Sequence, residues 1–524
     1  MKTRNISIAI AASLVLASCT GGFEEISKDH YNAHEENLAE DNLKVGAMFQ
    51  QLERSVIIYR DGTYLDSDYQ IMYNLCADIW AGYMGSTHAT GNSAQNSGWN
   101  VYDQYPSRMF NVKYEYGMSA FTNLKAYCEE NHLVIPLALA KIVKVATMHQ
   151  VTDYFGPIAY SQTGSVSGNL YDTQEAVYKA FFTELDEAIT TLEPYAAAGT
   201  VALDTYDIVY GGSIAKWVKF ANSLRLRLAM RVVYADETLA RTNAEAAVAS
   251  LGGLVTANSE NAVVSGVGHH PMYEINVNFN DGDIQMGASF DSYLNGYNDP
   301  RKFKIAKPAA DGNLHGVRLG INPSDWNPYK NAAGNVSAPN ATAYNICWLN
   351  AAEVAFLRAE GAIRGWNMGG TAKDFYEQGI ALSFEEWGAT GAEAYIADAT
   401  SKPAAFADNV STNNAAAPSS VTIAWNESAG FEGKLEKIAT QKWIALFPNC
   451  AEGWAEYRRL HYPALIVPVN NFSNGTVDTN QQIRRCPYPT SEQSTNPDGY
   501  ASGVAALGGA DNAGTRLWWD KKPF

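Results

Sequence analysis

The sequence predicts a mostly α-helical protein, on three observations. Apolar residues recur at three- and four-residue steps through most of the chain, the spacing that lines one face of a helix. The helical stretches come in consecutive pairs, 132–154 with 172–192, 213–234 with 238–252, 345–366 with 372–387 and 434–447 with 451–461. Stacked pairs of this size suggest tetratricopeptide-like hairpins. Strand-like pieces are short and scattered, Tyr273–Phe279 among them.

In chain order, Leu38, Val45, Met48, Phe49, Leu52 and Val56 give an amphipathic helix over Glu36–Ile57, and Ile71, Leu75, Cys76, Ile79 and Tyr83 give another over Asp66–Met84. Gly85–Pro106 is rich in glycine, serine and asparagine, hence loop. Helices return at 110–130 and 132–154, the latter stopped by Gly156-Pro157. Asp172-Thr173-Gln174-Glu175 has capping-box spacing and opens the next helix. Trp217, Phe220, Leu224 and Leu228 form the stripe of the helix over Ser213–Tyr234. From Gly253 to about 343 the periodicity dissolves; it resumes at Asn345 and ends before an irregular tail after Pro463.

The first residues address the chain outward. Lys2 and Arg4 precede the apolar run Ile6–Ala17, too short for a stable transmembrane anchor, and the run ends in Leu16-Ala17-Ser18-Cys19. This resembles a bacterial lipobox, which implies cleavage of residues 1–18 and lipidation of Cys19. Two or three acyl chains, at roughly 0.8 kcal/mol per buried methylene, would anchor the protein permanently. Residues 19–35 then read as a tether, and Glu24-Glu25 resembles an export signal for the outer face of the outer membrane. Loss of Lys2 and Arg4 takes the net charge from −17 to −19. A surface this acidic disfavours nucleic acid and anionic headgroups and leaves neutral ligands as the best match. The other cysteines, Cys76, Cys128, Cys347, Cys450 and Cys486, form no CxxC pair, which argues against a metal cage or redox site. The first four read as small buried hydrophobes.

Three internal stretches, Val151-Thr152-Asp153-Tyr154-Phe155-Gly156-Pro157, Lys216-Trp217-Val218-Lys219-Phe220-Ala221-Asn222-Ser223-Leu224-Arg225-Leu226-Arg227 and Leu349-Asn350-Ala351-Ala352-Glu353-Val354-Ala355-Phe356-Leu357-Arg358-Ala359-Glu360, follow that lipobox in order. Together they resemble the SusD/RagB family of outer-membrane lipoproteins. The resemblance implies a SusD-like fold over 36–524, with four TPR-like helix hairpins (132–192, 213–252, 345–387, 434–461) as scaffold and an irregular, loop-rich ligand-binding face. It implies a binding protein, not an enzyme, that passes an oligosaccharide to a SusC-like TonB-dependent transporter. A peptide ligand of the RagB type is the alternative, and a surface hydrolase or a purely structural lipoprotein ranks lower. The signature residues themselves read as scaffold, with Asp153 capping or pairing with Arg225 or Arg227.

A sugar offers a C–H face to an aromatic ring and a rim of hydroxyls to planar polar groups, and loops are where such groups are free. The loop 85–106 supplies His88, Trp99, Asn100, Tyr102, Asp103 and Tyr105; the stretch 281–330 supplies Tyr293, Asn295, Tyr297, Asp299, Trp326 and Tyr329. Trp99 and Trp326 are the expected stacking platforms, with Tyr102, Asp103, Tyr293 and Asn295 bonding hydroxyls. No cofactor is expected. The chain has no GxSxG, HExxH or P-loop pattern. Glu385-Glu386 reads as a solvated helix face, and His149 with Asp153 as a hydrogen-bonded helix end. His269-His270 and Asp281-Gly282-Asp283 are faint metal signals.

Overall fold

The computed structural model describes residues 43–59, 67–87, 92–163, 169–279, 283–321, 327–330 and 334–524. Cys19, the tether, His88, Trp326, Asp281-Gly282 and the first residues of the first two expected helices lie outside these.

Short polar side chains set most helix starts. Helix α1 is Leu43–Arg54 and α2 spans 67–80, passing through a π-helical segment at Gln70–Ala77. Strand β1 is Met84–Ser86. Helix α3 runs from 104 to 130 with its own π segment at Lys113–Met118, and α4 is Val134–Phe155. Helix α5 is Gln174–Ala197, α6 Ile214–Arg231 and α7 Glu237–Ala249, capped by Thr173, Ser213 and Asp236. Each cap supplies an oxygen to an otherwise orphaned N–H, worth about 1 kcal/mol. Strand β2 is Ile284–Met286 and α8 Ala288–Gly296. Helices α9 (Ala351–Ile363) and α10 (Ala372–Glu386) start on Asn350 and Thr371. Helix α11 is Phe431–Leu446, α12 Cys450–Leu460 and α13 Pro497–Leu507.

The fold is mostly helical. Consecutive helices pack as neighbours: α4 on α5, α6 on α7, α9 on α10 and α11 on α12, with α5 also against α6 and α9 against α11. Helix α4 is long and apolar enough to cross a membrane, yet 72% of its most apolar window is buried inside the protein. It is a core helix.

Four local expectations are corrected. Gly85–Pro106, expected as loop, carries the short helix Asn92–Ser97 and the start of α3 at Gln104. Thr173, not Asp172, caps α5; Asp172 instead accepts bonds from the N–H groups of Tyr160 and Ser161 and from the Ser161 hydroxyl. Tyr273–Phe279 is helical, not strand, and continues the turn begun at Pro271. Asp153 pairs with neither Arg225 nor Arg227: it accepts a bond from the Tyr178 hydroxyl at 2.6 Å and lies 3.8 Å from Arg231.

The signature helices meet in a buried charge network. Arg227 of α6 donates twice to Glu353 of α9, both at 2.6 Å, and Arg231, one turn on, bonds Glu452 of α12. Arg459 grips Glu360 of α9 through two bonds of 2.7 and 2.6 Å and also holds Glu456, which Lys442 of α11 bonds from the other side. Arg364 donates to Glu360 at 2.8 Å. Planar guanidinium–carboxylate pairs of this kind fix orientation as well as charge. Burial pushes the Glu360 carboxyl up, but Arg459 and Arg364 outweigh it and hold it down at about 2. Arg227, Arg231 and Arg459, with Lys442, are therefore internal ties between α6, α9, α11 and α12.

Candidate functional site

The irregular face forms where three distant segments are hydrogen-bonded into one surface. Antiparallel pairing of β1 with β2 sets Met84 opposite Met286. Val317 N–H donates to Met286 O at 2.8 Å, adding the stretch 316–321 alongside. Gly320 N–H donates to the Ser97 hydroxyl at 2.7 Å, tying that stretch to the loop before α3. The third segment comes from the tail: Val469 N–H donates to Leu319 O at 2.8 Å, and Phe472 N–H to Gly98 O at 2.6 Å. The two loops singled out from the sequence are thus one surface, and residues 467–480, which were not singled out, complete it.

Several expected site residues sit elsewhere than a ligand would need. Trp99 is only 1% exposed; its backbone takes φ +63°, and its indole N–H reaches Thr479 O at 3.4 Å. The ring turns inward and packs the base of the loop, so it offers no sugar-stacking face. Tyr293 is fully buried and donates to Ala464 O at 3.0 Å. The Asn295 amide N–H groups are committed to Asp291 at 2.6 Å and Leu314 O at 2.9 Å, although the residue is half-buried. Tyr297, Asp299 and Tyr329 are buried as well, with Asp299 bound to Arg301. Tyr102 and Asp103 stay at the surface, half-buried, and the Tyr102 ring meets Tyr105 edge-on at 4.9 Å. Asn100 is exposed.

The residue the sequence reading passed over is Phe472. It is 36% exposed in the otherwise polar run Asn470-Asn471-Phe472-Ser473-Asn474-Gly475-Thr476. Its signal lies in the sequence as an aromatic in a polar loop, but a single one, where 85–106 offers Trp99, Tyr102 and Tyr105 together.

Other polar groups are held inside. Glu386 is not on a solvated face: it accepts from Asn350 at 2.9 Å and Asn261 at 3.3 Å beside the start of α9. Burial pushes its carboxyl up to about 7. It lines a cavity of about 40 Å³ with Cys347, Glu353 and Trp387. His149 lies 3.5 Å from Asp153 with both buried, so neither is placed to meet a substrate. No cluster of three metal-ligating side chains occurs among the described residues, and all five cysteines there are free.

Two open clefts lie away from the loop face. One, of about 420 Å³, is bounded by α1, α2 and α3 and lined by Gln50, Arg54, Tyr59, Asp68 and Tyr116. The other, of about 700 Å³, opens between α3, α4 and α5. There Lys144 sits 4.0 Å from the Tyr160 ring centre and is paired with Glu184 at 2.8 Å. Lys125 with Glu129 and Lys141 with Glu187 add two further ion pairs along this cleft.

The architecture is a helical scaffold that carries an irregular face built from three loop segments. The chain belongs to the SusD-like family: the family model for SusD and RagB outer-membrane lipoproteins matches residues 25–520. Among solved structures, a chitin-binding SusD homologue from Flavobacterium johnsoniae is 38% identical, with a TM-score of 0.87 over 92% of this chain and 99% of its own. A SusD homologue from Bacteroides uniformis is also 38% identical, at TM-score 0.84 over 91% and 99%. One from Bacteroides vulgatus is 34% identical, at TM-score 0.85 over 92% and 99%. No curated protein matches the chain.

Proposed function

We propose that this protein is a cell-surface, lipid-anchored binding protein that captures a neutral oligosaccharide and delivers it to a SusC-like TonB-dependent transporter, without catalysis of its own. The observation that carries the reading is the likeness, at 38% identity over 92% of the chain, to a relative described as chitin-binding. The lipobox before Cys19 supports the anchor, and the net charge of −17 favours uncharged ligand over acidic polymers. Tyr102, Asp103 and Asn100 are the loop-face groups available for hydroxyls. Trp326 keeps its proposed stacking role, while the inward turn of Trp99 and Tyr293 and the committed amide of Asn295 make these three supports of the face. Four TPR-like hairpins would serve as the rigid mount.

Isothermal titration of the mature chain against chitin oligosaccharides, other neutral glycans and peptide mixtures tests the ligand. Binding confined to peptides would replace the sugar with the RagB-type ligand. Turnover of a glycan by the purified protein would end the binding-only reading. For the anchor, Cys19→Ser should move the protein from the membrane to the soluble fraction; unchanged fractionation would refute lipidation.

A further inference from the structure

We infer that Phe472 is a built stacking platform for a neutral sugar ring, set in the tail segment that completes the loop face; the inference rests on the glycan-binding reading above. Three observations carry it. The first is exposure: a phenylalanine with 36% of its surface in water stands in a run of Asn, Ser, Gly and Thr. Part of the side chain seats on Gly98, while about a third stays in water, each wet Å² forgoing roughly 25 cal/mol.

The second is rigidity. The Phe472 N–H is bonded to Gly98 O at 2.6 Å, and the ring lies on Gly98 so closely that a Cβ at that position would fall 2.1 Å from ring carbon Cδ2. Glycine is needed at 98 because only a bare backbone lets the ring seat. The loop behind it is stapled. Asn471 donates to Val477 O and to the Thr479 hydroxyl, both at 2.9 Å, and the Ser473 hydroxyl accepts from Val477 N–H at 3.1 Å. Asn474 and Gly475, at φ +53° and +84°, close the turn with Thr476 N–H donating to Ser473 O; two successive left-handed residues are the mark of a tight type I′ turn. An aromatic held in this way loses little entropy when a ligand stacks on it.

The third is surroundings. Asn474 and Asn480 are exposed on the same segment, and Asn100 on the loop bonded to it. Exposed amides on the segments that carry an aromatic face supply the planar polar groups that a pyranose's hydroxyl rim needs. Asp103 and the exposed Asp478 stand on the same two segments, which sets the surface against uronic or sulfated sugars. The ligand class is a neutral hexose or N-acetylhexosamine chain.

The test compares wild-type mature chain with Phe472→Ala, Phe472→Trp and Gly98→Ala, each titrated with chitin tetrasaccharide, the best neutral glycan of a panel and a uronic-acid oligomer, alongside thermal melting. Phe472→Ala should bind about tenfold more weakly, the loss of one aromatic contact, and melt only slightly lower for the lost seat on Gly98. Phe472→Trp should bind as well as wild type or better, and Gly98→Ala should weaken binding by displacing the ring. Wild-type affinity in Phe472→Ala, or a loss that tryptophan does not restore, overturns the platform while leaving the glycan-binding reading standing. Preferred binding of the uronic-acid oligomer overturns the ligand class. Failure of wild type to bind any glycan removes the parent reading, and this one with it.

Discussion

The interior of the helical scaffold and the loop face both depend on polar groups, but they use them in opposite ways. In the scaffold, charges face each other: Arg227 with Glu353, Arg459 with Glu360 and Glu456, and Arg231 with Glu452 are all buried and paired across helices far apart in sequence. On the loop face the ties run mostly through neutral groups, backbone to backbone or hydroxyl to backbone, as in Gly320 to Ser97 and Phe472 to Gly98. A buried charge without its partner is very costly, whereas a neutral group on a wet face can exchange its bond for water. The scaffold is consequently intolerant of single changes, and the face can vary its side chains while the mount stays fixed.

The largest effects should come from breaking one side of a buried pair or emptying the core beneath the face. Arg459→Met takes one cation from both Glu360 and Glu456, leaving Arg364 and Lys442 close by, and should destabilise the protein by about 3 kcal/mol, read by chemical denaturation of the mature chain. Trp99→Ala is the sharper probe of the comparison, because the sequence places this residue on the face and the structure places it in the core. It should lose about 3–5 kcal/mol of stability. Loss of glycan binding with no loss of stability would return Trp99 to the surface and blur the boundary drawn here.

How far the sequence could see follows from the range of each interaction. Helices whose stripe and cap lie within a few residues were readable: Ser213 before Trp217 and Phe220 marks α6 within one residue of its observed start. The pairing of Arg231 with Glu452 spans 221 residues, so nothing local distinguishes it from a solvated arginine. The same holds for Asp153, whose expected partner on α6 was a turn or more off. Trp99 failed for a related reason. Loop composition predicted exposure, but the inward turn depends on φ +63° and on an acceptor at Thr479, 380 residues away. The three-part loop face was only two-thirds visible, because its third part lay in a tail with no periodicity to read.

Acid and base should separate the two kinds of buried carboxylate. Burial raises Glu360, yet Arg459 and Arg364 prevail and its folded value falls to about 2, below the ordinary 4.5. Its contribution is present above 4.5 and lost as pH falls toward 2. Glu386 has no cation beside it, and burial raises it to about 7. Its contribution is present below 4.5 and lost as pH rises through about 7. Melting temperature should therefore fall at both ends, with Glu386 sharing the neutral-side decline with Asp78 and Asp291, whose carboxyls burial raises to about 7 and about 6. Glu386→Gln should make the slope between pH 5 and 7 shallower and leave the acid limb intact. A slope unchanged in that variant would mean the carboxyl is ionised throughout.

The smallest effect on stability should come from Tyr102, the half-buried counterpart of the buried Trp99. Its backbone N–H is bonded to Asn96 at 2.9 Å, and its ring rests edge-on against Tyr105. Tyr102→Phe keeps the ring and the backbone bond and removes only the hydroxyl, so stability should stay within about 0.5 kcal/mol of wild type. If that hydroxyl bonds a sugar, affinity should fall severalfold, a bond between neutral groups being worth about 0.5–1.5 kcal/mol. The pair Trp99→Ala and Tyr102→Phe then gives opposite signatures three residues apart, one losing fold and the other losing ligand. Equal behaviour of the two would place the division between mount and face somewhere other than this loop.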